Sequence, residues 1–338
     1  MNTDYFIKVL KEWNGLIQSI DPDEKDDLYA KAKSRNGWFT SDYIDLAFKG
    51  LDNYLDPERL SKWIADFDSS DNRKEAKNVG IVMAGNIPLV GFHDLLCVMV
   101  TGHNAIIKLS SQDSVLIPYL LDLLYPLEPS YKEQIRVVDK LEKPDAVIAT
   151  GSNNSARYFN YYFKNIPHII RKNRTSIAIL NGKESADTLY KLGSDILSYF
   201  GLGCRSISKL YVPVEYNFNH FFESIQSHEN IFNNHKYVNN YEYNKSIYLV
   251  NREKFLDNGF LMLKPSDQLV SPVSVVFFEN YKSEKELDTQ VKITNENIQC
   301  IVSDNGWYKN SIGMGKTQEP DLWDYSDNVN TVKFLNRL

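Results

Sequence analysis

The chain has 338 residues, of which 43% are hydrophobic and 13% aromatic, so it can bury a large core, and its length suggests about two domains. Its net charge of -6 is spread along the sequence without a basic block, which argues against a nucleic-acid partner. Three widely spaced cysteines, Cys97, Cys204 and Cys300, favour reduced thiols, and neither they nor the six histidines have metal-ligand spacing. No apolar run approaches membrane-spanning length and no signal peptide is evident, so we expect a cytoplasmic protein without a membrane span or a metal.

Residues 1–75 and 76–180 differ in the spacing of their apolar residues. Residues 1–75 have apolar side chains at helical spacing, joined by charged turns, and we predict a helical N-terminal lead-in. Residues 76–180 alternate short β-branched runs with helical stretches, which predicts an α/β domain with a parallel sheet. The strands predicted here are Val79–Met83, Ala105–Leu109, Ile135–Val138, Ala146–Ala149 and Ser176–Leu180.

Residues 181–338 predict a second α/β domain. Its expected strands include Ser246–Val250 and Val273–Glu279, and polar, Asn-rich loops are predicted over residues 230–244. We expect its C-terminal end to return to the first domain or to form an oligomer contact.

Cys204 is the most informative residue of this second part. A helix predicted over Ala186–Phe200 breaks on Gly201 and Gly203, and a strand is predicted from Ile207 onward. Glycines on such a loop allow a ligand and backbone N–H groups to come close to the thiol, where the N–H groups can stabilise a developing oxyanion. The alternative interpretation is a small buried hydrophobic residue, which is the common role of an intracellular cysteine.

Further candidate residues follow the strands of the first domain. Asn86 follows the strand ending at Met83 and offers an amide to a carbonyl oxygen, although turn-forming Asn is the common case. Lys108 ends a strand at the edge where nucleotides bind in such sheets, although most lysines are simply solvated. Gly151 and Ser152 precede a predicted helix and suit either a phosphate or an ordinary N-cap. The segment 313–317 lacks the first glycine of a phosphate-binding loop, and we predict a flexible loop there.

Taken in order, these segments resemble the aldehyde dehydrogenase superfamily from about residue 79 to 278. No single motif is decisive, but the ordered set is specific. The segments that carry the resemblance are Gly85–Leu89, Gly102–Lys108, Thr150–Ser152, Ile179–Lys183, Gly203–Cys204 and Gln268–Val273. The resemblance implies an aldehyde dehydrogenase-like fold, with a Rossmann-like cofactor domain over residues 76–180 and a catalytic α/β domain over residues 181–338.

The resemblance also implies roles for individual residues. Cys204 is the expected nucleophile, and Asn86 is expected to help form the oxyanion hole. The expected cofactor-binding residues are Lys108, Gly151, Ser152 and Gln268. Ile179 aligns with the glutamate that activates water in ordinary aldehyde dehydrogenases, and its apolar side chain argues against oxidation of an aldehyde to a free acid.

The closest resemblance is to the LuxC-type fatty acyl-CoA reductases, through the short chain, the run from Gly201 to Ser206 and the region of Trp323 and Asp324. It implies reduction of an acyl thioester, carried by coenzyme A or by a protein, to an aldehyde through an acyl-cysteine. A long-chain substrate, NADPH with NADH as the alternative, and a homo-oligomer are expected. A non-redox acyltransferase and an acyl-binding subunit remain open, as does the role of Arg205, which suits either the thiol or an ordinary salt bridge.

Overall fold

A computed structural model describes residues 3–67 and 75–338, so residues 1–2 and 68–74 of the predicted helical lead-in lie outside the described residues. The chain divides into two compact units. The first comprises residues 1–173 and 320–338, and the second residues 174–319.

Four helices open the first unit: α1 (Thr3–Gln18), α2 (Pro22–Arg35), α3 (Ser41–Tyr54) and α4 (Pro57–Ala65). Two of them begin at an Asp-Pro pair. The Asp21 carboxylate accepts the N–H of Asp23 at 3.0 Å, and Asp56 accepts that of Arg59 at 2.9 Å. An aspartate that satisfies an orphan N–H, followed by proline with its preset φ, is a strong helix start, and the sequence carries both signals.

A five-stranded parallel sheet follows in the same unit, in the order β3-β2-β1-β4-β5. Its strands are β1 (Asn78–Val82), β2 (Asn104–Lys108), β3 (Ile135–Val137), β4 (Ala146–Thr150) and β5 (His168–Arg171), and its helices are α5 (Phe92–Val100), α6 (Leu116–Leu124), α7 (Tyr131–Gln134) and α8 (Asn153–Tyr162). Because all five strands are parallel, their carboxyl ends lie at one edge of the sheet.

The second unit contains a seven-stranded sheet in the order β12-β11-β6-β7-β10-β9-β8, in which only β8 pairs antiparallel. Its strands are β6 (Thr175–Ile179), β7 (Ile207–Pro213), β8 (Leu256–Asp257), β9 (Met262–Pro265), β10 (Val275–Tyr281), β11 (Ile298–Ser303) and β12 (Ile312–Gly313), and its helices are α9 (Ala186–Leu197), α10 (Phe218–Ile225), α11 (His235–Val250) and α12 (Glu284–Thr294). The last helix, α13 (Thr331–Leu335), belongs to the first unit.

Two expectations about secondary structure were wrong. The Asn-rich stretch is not a loop, and Ser246–Val250 is not a strand, because both lie largely in α11 and the 3₁₀ turn before it. The Asn234 side chain caps α11, and Tyr237, Tyr241 and Tyr248 are buried on one face. Packing of these aromatic side chains outweighs the β propensity of the helix's last turn.

The strand predicted at Ser176–Leu180 also differs in its place. It forms as β6, but it lies in the second sheet between β11 and β7, whereas we had grouped it with the strands of the first domain. Short buried parallel strands have the same apolar composition in either sheet, so the pattern alone could not assign this one.

Candidate active site

Cys204 lies in a tight turn that leads directly into β7. The N–H of Ser206 donates to the Gly203 carbonyl at 3.0 Å, which closes a four-residue turn with Cys204 and Arg205 at its centre. Cys204 is exposed. Because N–H and C=O point in opposite directions across a trans peptide, the Cys204 N–H is directed away from the side on which Ser206 binds the Gly203 carbonyl.

A strained segment precedes this turn. Tyr199, Phe200 and Gly201 are all left-handed, with φ values of 53°, 58° and 74°. The two aromatic side chains are buried, and left-handed backbone costs a residue with a Cβ roughly 1–2 kcal/mol. Strain that is kept by surrounding packing clusters at functional sites, so its position three residues before Cys204 favours a functional turn.

The other two cysteines differ from Cys204 in their surroundings. Cys97 is fully buried in α5, where burial, followed by the nearby Asp94 carboxylate, raises the pKa of its thiol well above the ordinary value. Such a thiol stays protonated and unreactive. Cys300 is half-buried in β11. Exposure therefore singles out Cys204 among the three thiols.

Arg205 binds a neighbouring loop. Its Nε donates to the Thr317 carbonyl at 2.6 Å. From the other side, the buried Asp195 carboxylate accepts the N–H of Gly315 at 2.6 Å, the N–H of Thr317 at 3.1 Å and the Thr317 hydroxyl at 2.8 Å. The prediction that residues 313–317 form a flexible loop was wrong, because four hydrogen bonds hold this segment beside the Cys204 turn.

Ile179 does not lie where the alignment placed it. Ser176, near the start of β6, pairs with Ile207, just after the Cys204 turn, whereas Ile179 at the far end of β6 pairs with Tyr211. Three residues along a strand span about 10 Å, and Ile179 is fully buried in the apolar core. A base must reach its water by one hydrogen bond, so the identity of residue 179 carries no information about hydrolysis.

Gln268 lies in the segment that joins β9 to β10, in the same unit as Cys204. Two side chains of β7 hold the carbonyls on either side of it. Lys209 Nζ donates to the Asp267 carbonyl at 3.1 Å, and the Ser208 hydroxyl donates to the Leu269 carbonyl at 2.7 Å. Lys209 is fully buried and also pairs with the Glu279 carboxylate. Strand β7 therefore starts directly after the Cys204 turn, and its side chains fix the backbone around Gln268.

The remaining candidate residues lie in the first unit, where the sheet brings them to one edge. Lys108 is the last residue of β2, Asn86 follows the end of β1, and Gly151 and Ser152 follow β4. These three strands are neighbours in the sheet. Carboxyl ends of parallel strands are where open α/β sheets bind ligands.

Ser152 is the N-cap of α8. Its hydroxyl accepts the N–H of Ser155 at 3.1 Å. A Cβ placed on Gly151 would approach Ser155 Cβ to 2.9 Å and the Phe159 ring to 3.0 Å, so this position has room only for glycine. Glycine there allows the chain to turn from β4 closely onto α8, whose N-terminal N–H groups suit a phosphate.

Asp113 shapes the turn that carries Asn86. Its buried carboxylate accepts the N–H of Leu89 at 2.8 Å, where Leu89 has a left-handed φ of 60°. Asn36 from the helical lead-in donates to the Gly85 carbonyl at 2.9 Å. Burial raises the pKa of Asp113 to about 6. The turn is therefore held on both sides of Asn86.

Sequence reasoning missed Ser176, Asp195 and Lys209 as supports of the site. One signal was available, since a charged or polar residue inside an apolar run, such as Lys209 in Ile207–Pro213, needs a buried partner. Its partner, however, lies 70 positions away, so the sequence could not identify it.

Within residues 3–67 and 75–338, no three His, Cys, Asp or Glu side chains cluster as a metal site. Over the same residues, no helix combines the length and apolarity needed to cross a membrane.

Several solved structures share the fold. An aldehyde dehydrogenase from Bacillus cereus in complex with NAD+ is 12% identical, with 92% of this chain and 72% of that one covered and a TM-score of 0.64. An indole-3-acetaldehyde dehydrogenase from P. syringae, in complex with NAD+ and IAA, is 10% identical, with 92% and 74% covered and a TM-score of 0.67. Aldehyde dehydrogenase 21 from Physcomitrella patens is 13% identical, with 90% and 73% covered and a TM-score of 0.63. These likenesses confirm the aldehyde dehydrogenase-like α/β fold.

The family comparison is more specific. No curated protein gives a significant sequence match. The family described as Acyl-CoA reductase (LuxC) matches residues 47–226, more than half of the chain, and this span includes Cys204, Asn86 and the carboxyl edge of the first sheet. The resemblance inferred from the motifs is thereby confirmed, and the chain belongs to the LuxC acyl-CoA reductase family.

Proposed function

We propose that this protein reduces an acyl thioester to an aldehyde, with Cys204 as the nucleophile and NADPH as the reductant. The observation that carries the proposal is the exposed Cys204 thiol on a hydrogen-bonded turn that follows a strained segment, inside the span that matches the acyl-CoA reductase family. Because Ile179 gives no information about water activation, the family match, and not a missing base, supports a thioester substrate.

The proposed reaction begins with acyl transfer. The Cys204 thiolate attacks the thioester carbonyl carbon, a new carbon–sulfur bond forms, and the thiol of coenzyme A leaves as a thiolate. The Cys204 N–H donates to the oxyanion of the tetrahedral intermediate, and the family resemblance assigns the Asn86 amide as a second donor. NADPH, when bound, supplies the hydride that reduces the acyl-cysteine. The Cys204 thiolate is then expelled and the aldehyde is released.

The cofactor proposal rests on the carboxyl edge of the first sheet. Ser152 and the first N–H groups of α8 suit a phosphate, and Gly151 allows the chain to turn closely onto this helix. Lys108 at the end of β2 suits the adenosine ribose or its phosphate. The preference for NADPH over NADH rests on the resemblance to the LuxC-type reductases and on the positive charge of Lys108.

The test follows NADPH absorbance and release of the coenzyme A thiol during incubation with a long-chain acyl-CoA. We expect both signals in the wild type and neither in Cys204→Ala, because the acyl-enzyme cannot form. Cys97→Ala is the matched control, since its thiol is fully buried, and it should keep both activities.

The other outcomes discriminate between the alternatives. Thiol release that depends on Cys204 without NADPH oxidation would indicate a non-redox acyltransferase, and the absence of both signals would indicate an acyl-binding role. NADPH oxidation that persists in Cys204→Ala would refute the assigned nucleophile. We further propose a homo-oligomer, which a sedimentation experiment showing only monomer at micromolar concentration would refute.

A further inference from the structure

Ser176 connects the nucleophile turn to the neighbouring strand. It is the second residue of β6, and its side chain is fully buried between β11 and β7. Its hydroxyl donates to the Cys204 carbonyl at 3.1 Å and accepts the N–H of Cys300 at 3.2 Å. The Cys300 sulfur lies 3.0 Å from the same oxygen.

These three contacts use the full hydrogen-bonding capacity of the hydroxyl. A serine hydroxyl has one hydrogen and two lone pairs. With the hydrogen on the Cys204 carbonyl, one lone pair takes the Cys300 N–H and the other takes the Cys300 S–H. The orientation of Ser176 is therefore fixed by Cys300, and a chain of hydrogen bonds of this kind strengthens each of its members.

The sheet is irregular at this residue on both sides. The pairing of β6 with β11 shifts register between Ile298 and Ile301, and the pairing of β6 with β7 shifts between Ser176 and Ile177. Bulges next to active sites redirect side chains and end regular pairing. Here the irregular pairing coincides with the residue whose hydroxyl donates to the Cys204 carbonyl.

We propose that Ser176 is a positioning residue for acyl transfer at Cys204. The Gly203 carbonyl is bound by Ser206 and the Cys204 carbonyl by Ser176, so both peptide planes that flank the Cys204 Cα are fixed. Fixing both planes sets the direction of the Cα–Cβ bond that carries the thiol and of the N–H that donates to the oxyanion. This inference rests on the proposed function for its chemistry and on the geometry for the role of Ser176.

The first experiment compares Ser176→Ala with Ser303→Ala. Ser303 is an equally buried serine at the opposite end of the neighbouring strand β11, where its hydroxyl accepts the N–H of Tyr308. We expect the burst of coenzyme A release to slow about ten- to hundredfold in Ser176→Ala, the scale expected for a misplaced catalytic group, and to stay within about threefold in Ser303→Ala.

A second readout separates positioning from general damage. Alkylation of Cys204 by iodoacetamide forms no oxyanion. Across a pH–rate profile, Ser176→Ala should therefore change the alkylation rate by less than about threefold, whereas the acylation rate should fall. Equal losses in both reactions would overturn the proposal, because they would indicate a collapsed turn.

The isosteric pair Ser176→Thr and Ser176→Val controls for poor packing. Both add the same bulk, but only threonine keeps the hydroxyl, so the threonine variant should acylate about tenfold faster. Equal rates in the two variants would overturn the role of the hydroxyl.

Amide hydrogen exchange keeps this test independent of the proposed function. The amide of Ser206, which closes the turn, should exchange about tenfold faster in Ser176→Ala than in the wild type or in Ser303→Ala. If the wild type releases no coenzyme A, the proposed function fails, yet this exchange result still decides the role of Ser176. Unchanged exchange would overturn it.

Discussion

Replacing Asp195 with alanine tests how much the anchoring of residues 313–317 beside the Cys204 turn contributes to the free energy of unfolding. Asp195 is 1% exposed in α9, and its carboxylate accepts three hydrogen bonds from Gly315 and Thr317. Burial raises the pKa of Asp195 to about 6, while these hydrogen bonds and the charge of Arg205 act in the opposite direction. The hydrogen bonds of Asp195 therefore stabilise residues 313–317, whereas burial of its ionised carboxylate destabilises the folded state.

The structure gives the size of the effect. Leaving a buried donor unpaired costs about 1–3 kcal/mol, so the N–H and the hydroxyl of buried Thr317 cost about 2–6 kcal/mol, and the half-buried N–H of Gly315 adds less. Removing the carboxylate also removes the free-energy cost of keeping it ionised in the folded state, which offsets part of this loss. A pKa raised from 3.8 to about 6 corresponds to a cost of about 3 kcal/mol. We therefore expect Asp195→Ala to lower the free energy of unfolding by about 3 kcal/mol at pH 8.

The same pKa fixes the sign of the pH dependence. The folded state binds the proton more tightly than the unfolded state, so the contribution of Asp195 is largest at low pH and is lost as pH rises through about 6. From pH 8 to pH 5 the wild type should gain about 1.4 kcal/mol relative to Asp195→Ala. The destabilisation measured for the variant should therefore be larger at pH 5 than at pH 8.

Urea denaturation of both proteins at the two pH values measures these differences. Asp187→Ala is the matched control, since Asp187 lies on the same helix but is exposed and pairs only with Lys191. It should change the free energy by less than about 0.5 kcal/mol. A difference between Asp195→Ala and the wild type that shrinks from pH 8 to pH 5 would refute the reasoning.

Three further predictions concern the first unit. Asn86→Ala should lower kcat by about a hundredfold or more, because an oxyanion donor acts only in the transition state; an effect on KM alone would contradict this. Ser152→Ala should cost about 1 kcal/mol and raise the Kd of NADPH, whereas Ser185→Ala, the same kind of cap on α9, should cost as much but leave the Kd unchanged. Arg171→Met should destabilise by about 3–5 kcal/mol in urea denaturation, because it leaves the Asp94 carboxylate buried and uncompensated. The double variant Arg171→Met with Asp94→Leu should recover much of that loss.

The sequence predicted the local structure around Cys204 well. The helix predicted over Ala186–Phe200 forms as α9 but ends at Leu197, because Tyr199 and Phe200 are left-handed. The glycines after it and the β-branched run from Ile207 are signals that act over a few residues, and a turn and a strand occur there. The alternation of strands and helices likewise predicted the α/β class. The order of motifs, with Cys204 among them, sufficed to place the chain in its family.

Contacts between distant positions explain the failures. Ile179 was aligned by a short motif, but its place at the far end of β6 depends on how that strand pairs with β7. The segment 313–317 has a flexible composition and is nevertheless fixed, because Asp195 and Arg205 reach it from more than a hundred positions away. The strand predicted at Ser246–Val250 is the end of a helix whose tyrosines pack into the second unit.

By itself, the sequence determined which residue is the nucleophile candidate, which loops accompany it and which family the chain belongs to, because these depend on residue type and local order. Only the tertiary structure decided what holds Cys204 in place. Ser176, Cys300 and Cys204 come from three separate parts of the sequence, and they meet because β6 lies between β11 and β7. A buried hydroxyl finds its partners through strand pairing, and strand pairing is a property of the whole sheet.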